Sequence, residues 1–308
     1  MADAPDKVSD LASAISTLVQ PGMSLALGCA LEGLIPYAAA HEIIRQKKRD
    51  LTLIGPISNI CFDQIIAAGL ARQVIAAWVG NVSTGIGYSF RRAVEKKKQP
   101  QLKVVNHSNF SISLALEAGS RGLPMAVGIS PAGSDIVKGN PHFKDLICPH
   151  SGKKLLAIKA LNPDLTILHV QKADSYGNCR LWGASGISKE AALAAEKVLI
   201  TCEELVSTKE VRKDPDRTFL AGFCVDAVCP IAWGAHPAPV QGYYGLDNLL
   251  YLDYAKATKT RQGAESWLDE WIYNLKDHKA YLEKLGMGRL AALTVQNSRL
   301  STSLEYDW

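Results

Sequence analysis

The segment LTILHVQKADSYGNCRLWGASGISKEAALAAEKVLITCEE, residues 165–204, decides the fold of this chain. The apolar run 165–170 and the segment 198–204, which begins with a second apolar run, enclose a polar turn at 173–178 and an alanine-rich stretch at 190–195. Short apolar runs bounded by turn residues are typical of buried strands, and the alanines favour a helix. A strand, a helix and a second strand in this order predict two parallel neighbours in one sheet.

The same alternation extends towards both ends of the chain. Continuous apolar strands that alternate with helices predict an α/β fold, with an open, mostly parallel sheet and helices on both faces. Further strands are expected at residues 23–28, 51–54, 74–79, 102–105 and 125–129, and helices at 8–19, 36–45, 61–70 and 111–119.

The C-terminal part of the sequence is richer in helical signals. Residues 131–155 contain Pro, Gly and Lys and are expected to form a surface excursion. An apolar stripe that includes Trp267, Trp271 and Leu282 predicts one long helix over residues 262–285, which Gly286 would stop. Because no stretch resembles a linker, we predict a single domain, residues 1–308, with a helical extension over residues 247–308.

Composition excludes several classes of protein. The chain has 308 residues, 47% hydrophobic and 21% charged, as is ordinary for a globular protein. A net charge of +4 argues against nucleic acid and suits an anionic metabolite. Without a signal-like start or an apolar run of about 18–20 residues, a membrane location is not expected. The 7 cysteines show no CxxC and are expected to be reduced, in a cytoplasmic protein.

Two loops after predicted strands can be interpreted in two ways. Residues 28–36, Gly-Cys-Ala-Leu-Glu-Gly-Leu-Ile-Pro, form either a tight strand-to-helix turn or a ligand loop whose N–H groups stabilise an oxyanion. Residues 106–109, Asn-His-Ser-Asn, either contact a ligand or cap the next helix through Ser108 or Asn109.

Other patterns argue against familiar site types. The Gly-rich loop at residues 80–89 is neither GxGxxG nor a P-loop, so no dinucleotide or nucleoside triphosphate site is expected. The three lysines 96–98 are expected either to lie at a solvated helix end or to contact phosphate groups. His142, Cys148 and His150 lack zinc spacing, so no metal is expected, and His169 is expected to be a satisfied buried side chain.

Several motifs together resemble the α subunits of class I (family I) coenzyme A transferases, most of all the A subunit of glutaconate CoA-transferase. The resemblance covers nearly the whole chain. The motifs that carry it are Ile-Thr-Cys-Glu-Glu at 200–204, Arg-Lys-Asp-Pro at 212–215, Cys-Val-Asp-Ala-Val at 224–228, Gly-Ala-His-Pro at 234–237 and Asn-Leu-Lys-Asp-His at 274–278. Near the N-terminus, Gly28-Cys29-Ala30 and Pro36 stand where the family has Gly-Gly-Phe and a proline.

The resemblance implies the fold of the CoA-transferase and NagB/RpiA-like proteins and a two-subunit enzyme. A glutamate of the β subunit would attack an acyl-CoA thioester, and CoA would pass through a glutamyl-CoA intermediate to a carboxylic acid. This chain would hold no catalytic nucleophile and no tightly bound cofactor. The expected assembly is a heterodimer that forms a heterotetramer or larger. A same-fold C–C hydrolase or glutaconyl-CoA-type decarboxylase is the alternative, and a non-enzymatic or sugar-phosphate-binding protein of the wider fold is a third possibility.

The family pattern also assigns roles to residues of this sequence. Asn109 stands where many members have a glutamine that supports the thioester carbonyl, and it would act as the oxyanion donor. The residues expected to bind substrate are Gly28, Cys29, Ala30, Leu31, Glu32, Ser58, Asn59, Asn81, Ser83, Gly133 and Ser134. Because the loop after the first strand is less polar than in the glutaconate enzyme, we expect an acid that is bulkier or less charged than glutaconate.

Overall fold

The computed structural model describes residues 6–95 and 101–296. The helices are α1 (Leu11–Leu18), α2 (Tyr37–Arg45), α3 (Asn59–Ala67), α4 (Tyr88–Glu95), α5 (Asn109–Ser120), α6 (Ser188–Ala194), α7 (Thr208–Arg212), α8 (Asn248–Ala257), α9 (Arg261–Leu268), α10 (His278–Leu285) and α11 (Met287–Leu293). The strands are β1 (Ser24–Leu27), β2 (Leu51–Ile57), β3 (Ala71–Trp78), β4 (Gly80–Asn81), β5 (Gly85–Ile86), β6 (Lys103–Asn106), β7 (Met125–Gly128), β8 (Phe143–Ile147), β9 (Lys154–Lys159), β10 (Leu165–Ala173), β11 (Cys179–Arg180), β12 (Lys197–Leu205) and β13 (Ala227–Pro230).

An eight-stranded sheet forms the centre of the molecule. Its strands follow the order β13-β12-β10-β1-β2-β3-β6, and β11 pairs with β10. All pairs along this path are parallel, while the short β11 is antiparallel to β10. Residues 165–204 supply β10 and β12, which pair in parallel from Leu165↔Lys197 to Ala173↔Leu205. The expected mostly parallel sheet is therefore confirmed.

Both faces of this sheet are covered. Leu25 and Leu27 of β1 belong to one apolar core, with side chains of α1, α2, α3 and α8. Ala26, between them, belongs to a second core formed with α5, α6 and β9. Alternate residues of a strand point to opposite faces, so β1 is buried from both sides and its continuous apolar sequence is explained.

One predicted strand has a different position. The apolar run expected at residues 125–129 forms β7, which lies outside the central sheet in a three-stranded antiparallel sheet of order β7-β9-β8. Met125 and Val127 are exposed, as is usual for a strand with one face in solvent. Of the two remaining strands of this small sheet, β8 lies within the predicted surface excursion and β9 lies mostly after it.

The predicted helix over residues 262–285 is in fact two helices. After α9 a π-helical turn, Asp269–Tyr273, ends the first helix at Asn274. The carboxylate of Asp277 then accepts a hydrogen bond from Ala280 N and begins α10. The apolar stripe continues across this break, so periodicity alone could not show it. No helix in the described ranges is long and apolar enough to cross a membrane.

Candidate functional site

The strand order places a crevice at the carboxyl end of β1. The chain continues from β1 to β2 on one side, whereas the other neighbour of β1 is β10. Loops that follow two such strands leave in opposite directions, and ligands of open α/β sheets bind in the gap between them. The loop of residues 28–36, here called the β1 loop, leaves the sheet at this position.

The β1 loop has a constrained backbone. Gly28 has a φ of +61°, and a Cβ there would lie 3.0 Å from Ile35 Cγ1. Leu31 and Leu34 also have positive φ, 65° and 56°, although neither is a glycine. Ile187 N donates to Cys29 O at 2.9 Å, so the loop is also held from the side of α6. Such a backbone is rarely adopted unless its surroundings hold it in place.

The β1 loop also presents unpaired N–H groups. Within the described residues, no backbone or side-chain group accepts a hydrogen bond from the N–H of Ala30 or Leu31. Ala30 is only 1% exposed. Buried N–H groups almost always have a partner, so the N–H of Ala30 is a candidate donor for a negatively charged oxygen.

A line of side-chain hydrogen bonds joins the β1 loop to the next two strand ends. Asn59 Nδ2 donates to Glu32 Oε2 at 2.9 Å, and Asn81 Nδ2 donates to Asn59 Oδ1 at 2.6 Å. Asn81 Oδ1 in turn accepts from Ser83 N at 2.9 Å. These four residues, all expected from sequence to bind substrate, therefore lie together; we call the first three the Glu32–Asn59–Asn81 chain. Next to them, the buried Ser58 Oγ has no partner among the described residues.

Other expected site residues are not joined to this chain. Ser108, not Asn109, caps α5 by accepting from Ser111 N, and Asn109 is exposed in the first turn. Gly133 and Ser134 lie in a turn after β7, where the Ser134 hydroxyl donates to Pro131 O at 2.8 Å. In the described parts of the chain, none of Asn109, Gly133 and Ser134 bonds to Glu32, Asn59 or Asn81. Lys96–Lys98 lie outside the described residues.

Two adjoining cavities open beside the β1 loop. The smaller, about 150 Å³, lies between residues 30–34 of the loop and Trp182, Ala184, Pro239 and Gln241. The larger, about 560 Å³, shares Trp182 and Gln241 with it. The remaining lining residues of the larger cavity are Lys172, Arg180, Leu181, Gly183, Lys189, Asp216, Arg217, Thr218 and Phe219. Sequence reasoning missed this cavity, although most of its residues lie in the segment 165–204 or directly after the motif at 212–215, because no pattern shows that these segments meet.

The charges around these cavities are of both signs. Four basic side chains line the larger cavity, together with Asp216. Lys172 is only partly available, since its Nζ lies 3.1 Å from Glu210 and 3.3 Å from Glu204. Burial lowers the pKa of Lys172, but its hydrogen bonds to Glu210 and Glu204 outweigh this and raise it.

The two ionisable groups of the β1 loop behave differently from free side chains. Burial raises the pKa of the Cys29 thiol to about 12, so it stays protonated and is not a nucleophile at neutral pH. Burial also raises the pKa of Glu32. Glu32 Oε1 is buried and has no hydrogen-bond partner in the described residues, whereas Oε2 is held by Asn59.

A second buried carboxylate has all its oxygens occupied. Glu203 Oε1 lies 2.7 Å from both His169 Nε2 and Tyr244 Oη, and its Oε2 accepts from Trp233 N at 2.7 Å. The other ring nitrogen of His169 contacts Thr201 Oγ1 at 2.9 Å. The expectation that His169 is a satisfied buried side chain is confirmed, and this cluster joins β10, β12 and the loop after β13.

In the described ranges, no group of three or more His, Cys, Asp or Glu side chains is arranged to hold a metal ion. His142, one of the three residues considered for zinc, instead lies 3.0 Å from His107 Nε2 through its Nδ1. Burial lowers the pKa of both histidines, that of His107 to about 3.

Comparison with known proteins identifies the family. The family model described as Coenzyme A transferase matches residues 8–230. The chain belongs to the coenzyme A transferase family. It is 40% identical over 263 residues to the A subunit of 3-oxoadipate CoA-transferase from Pseudomonas knackmussii, covering 84% of this chain and 93% of that protein. It is 33% identical over 306 residues to the A subunit of glutaconate CoA-transferase from Acidaminococcus fermentans, covering 94% of this chain and 95% of that protein.

Solved structures agree with this assignment. The crystal structure of glutaconate CoA-transferase from A. fermentans superimposes with a TM-score of 0.87 at 32% identity and covers 94% of this chain and 96% of that one. A variant of the decarboxylase AibA/AibB is less similar, with a TM-score of 0.74 and 26% identity over 87% of this chain and 100% of that one. This CoA-transferase chain is therefore the A component of a two-subunit enzyme that uses CoA thioesters, and the hydrolase or decarboxylase alternative is weaker.

Proposed function

We propose that this CoA-transferase chain is the acyl-binding half of an active site completed by a β subunit. The observation that carries the proposal is the constrained β1 loop at the carboxyl end of β1, where the N–H groups of Ala30 and Leu31 have no partner among the described residues. These groups can stabilise the negative charge that forms on a thioester carbonyl oxygen when a nucleophile attacks it. Asn109 is the side-chain donor that the family pattern assigns to the same oxygen.

The nucleophile is proposed to be a glutamate of the β subunit. Its carboxylate attacks the acyl-CoA carbonyl, and CoA thiolate leaves as a mixed anhydride forms. The thiolate then attacks the glutamyl carbonyl and releases the first acid, and a second acid takes the CoA by the reverse steps. In this chain Glu203 is already occupied by three partners, and Glu204 is bound by Lys172 and Tyr243.

The substrate is proposed to be an acid bulkier than glutaconate, a 3-oxo dicarboxylic acid such as the one in the name of the 40% identical relative. Two adjoining cavities of about 150 and 560 Å³ leave room for a longer chain. A carboxylate at the far end of such an acid would meet the basic side chains of the larger cavity. Efficient turnover of glutaconate by the complex, with poor turnover of 3-oxoadipate, would contradict this assignment.

The test is to co-express this chain with its β-like partner and incubate the complex with a panel of acyl-CoA thioesters. Borohydride or hydroxylamine then traps the intermediate, and intact mass is measured for each polypeptide. We expect a modified glutamate on the partner, and no transfer by this chain alone. An adduct on this chain, or free CoA or CO₂ without transfer, would overturn the proposal and favour hydrolysis or decarboxylation.

The role of Asn109 is tested separately with Asn109→Ala in the complex. Loss of one oxyanion donor lowers kcat by about 100-fold in comparable sites. The neighbouring exposed Phe110→Ala serves as a control for disturbance of the first turn of α5. Full activity of Asn109→Ala would exclude its role as a donor.

A further inference from the structure

Three of the four basic side chains of the larger cavity are already bound within this chain. Lys172 forms ion pairs with two glutamates. Arg180 Nη2 donates to three backbone carbonyl groups in and just after α7, at 2.9, 3.1 and 3.4 Å. Arg217 Nε lies 2.7 Å from Asp214 Oδ2. A ligand would have to compete with these partners, so the three side chains are less available to a carboxylate.

The fourth basic side chain, Lys189, is available. It is exposed and lines the cavity, and its ammonium group forms no hydrogen bond or ion pair with another described residue. An ammonium group on a flexible four-carbon stem can turn to meet a carboxylate, here without breaking an existing contact. Asp216, the acidic residue among those that line the cavity, likewise has no ion pair within the described parts of the chain.

The backbone places Lys189 close to the oxyanion donors. Ile187, two residues earlier, donates from its N–H to Cys29 O at 2.9 Å, and this carbonyl belongs to the same peptide group as the N–H of Ala30. Gly186 packs on that peptide group so closely that an added Cβ would lie 2.9 Å from Ala30 Cα. Lys189, in the first turn of α6, is therefore held within a few residues of the thioester site.

The two cavities connect the thioester site to Lys189. Residues 30–34 line the small cavity, and Trp182 and Gln241 line both cavities. An acyl chain whose carbonyl group lies at the β1 loop can therefore pass Trp182 and end in the larger cavity. There Leu181 and Phe219 add apolar surface around its far end.

We propose that Lys189 binds the far carboxylate of the acyl group and makes the site selective for dicarboxylic over monocarboxylic acyl-CoA thioesters. This inference rests on the proposed function, because it requires the thioester carbonyl to lie at the β1 loop. A carboxylate in the cavity would bind Lys189 next to apolar side chains that exclude part of the water, which strengthens the ion pair. A methyl group at the same place would gain no such contact.

The test compares adipyl-CoA with hexanoyl-CoA, two donors of equal chain length that differ only at the far end, a carboxylate or a methyl group. Adipyl-CoA has the carbon chain of the acid named for the 40% identical relative. Transfer from each donor to acetate is measured with the complex of this chain and its β subunit. In a ping-pong reaction the donor's kcat/KM reports the first half-reaction alone, so the acceptor does not affect the comparison.

The ratio of kcat/KM for adipyl-CoA to that for hexanoyl-CoA, here called the donor preference, is the quantity to compare. We expect the native complex to prefer adipyl-CoA. Lys189→Met should lower the donor preference about 10-fold or more, the range for loss of a hydrogen bond to a charged group, and leave transfer from hexanoyl-CoA unchanged.

Three further variants separate charge from structure. Lys189→Arg keeps the positive charge and should retain most of the donor preference. Asp216→Asn removes a negative charge from the same cavity and should raise it. Lys279→Met is the matched control, since Lys279 is an exposed lysine of α10 that lines neither cavity, and it should change nothing.

Two results would overturn the role of Lys189 while CoA transfer itself stands. One is a native complex that transfers CoA but shows no preference for adipyl-CoA. The other is a Lys189→Met complex that keeps the native donor preference, including one that loses activity on both donors by the same factor. A complex that transfers CoA from no thioester of the panel would instead contradict the proposed function.

Discussion

Gly28→Ala should weaken the fold at the β1 loop far more than a glycine replacement in open space. At Gly28, φ is +61° and the added Cβ would lie 3.0 Å from Ile35 Cγ1 and 3.2 Å from Ile35 Cα. A left-handed conformation costs an L-residue about 1–2 kcal/mol. Forcing a methyl group into a packed position adds about 1–3 kcal/mol. Together these predict a loss of about 2–5 kcal/mol in the free energy of unfolding.

The matched control is Gly69→Ala. Gly69 has a similar φ of +72°, but nothing lies within 4 Å of its added Cβ. Gly69→Ala should therefore lower the free energy of unfolding only by the cost of the left-handed conformation, about 1–2 kcal/mol. Urea unfolding followed by circular dichroism measures both losses through the midpoint concentration. Equal midpoints for the two variants would show that Ile35 moves away at no cost, and would refute the close packing inferred for the β1 loop.

Further predictions concern other parts of the molecule. Glu203→Ala should lower the free energy of unfolding by about 3–5 kcal/mol, because it leaves buried partners unpaired. Glu204→Ala removes a half-exposed ion pair and should lower it by less than about 1 kcal/mol. Urea unfolding of the two variants compares these losses. Iodoacetamide should label Cys148 before the buried Cys29, because hydrogen bonds from Ser151 lower the pKa of Cys148 and burial raises the pKa of Cys29. Mass mapping of the labelled peptides that finds Cys29 labelled first would contradict this prediction. Burial lowers the pKa of His107 from 6.5 to about 3, so between these pH values the unfolded chain binds a proton there that the folded chain does not. The free energy of unfolding is therefore highest above pH 6.5. It decreases by up to about 1.4 kcal/mol per pH unit as the pH falls towards 3. His107→Gln should flatten that part of the measured stability profile, and an unchanged slope would contradict the assignment.

Sequence periodicity predicted the central sheet well, but it could not distinguish sheets or helix breaks. The run at 125–129 is apolar like the strands of the central sheet, yet β7 pairs with β9 and exposes Met125 and Val127. An apolar run shows that a strand is present, but not which strand it pairs with. The apolar stripe over 262–285 likewise continues across two helices, because side chains of both pack towards the interior.

The sequence predicted part of the candidate site, because several of its residues follow neighbouring strands. Glu32, Asn59, Asn81 and Ser83 lie in the segments that follow β1, β2 and β3, neighbouring strands of one parallel sheet, so these segments had to meet at one edge. Asn59 joins Glu32, 27 residues away, to Asn81, 22 residues away, and has a φ of 54°; no sequence pattern indicates either feature.

The sequence by itself determined the α/β class, the parallel neighbours β10 and β12, and the coenzyme A transferase family. These follow from local apolar runs and from motifs that are continuous along the chain. Only the tertiary structure decided that one buried oxygen of Glu32 has no partner among the described residues and that Lys172, Arg180 and Arg217 share a cavity with Trp182. The physical reason is that hydrogen-bond partners and cavities depend on which loops meet at the sheet edge, and that is set by strand order and backbone conformation rather than by neighbouring residues.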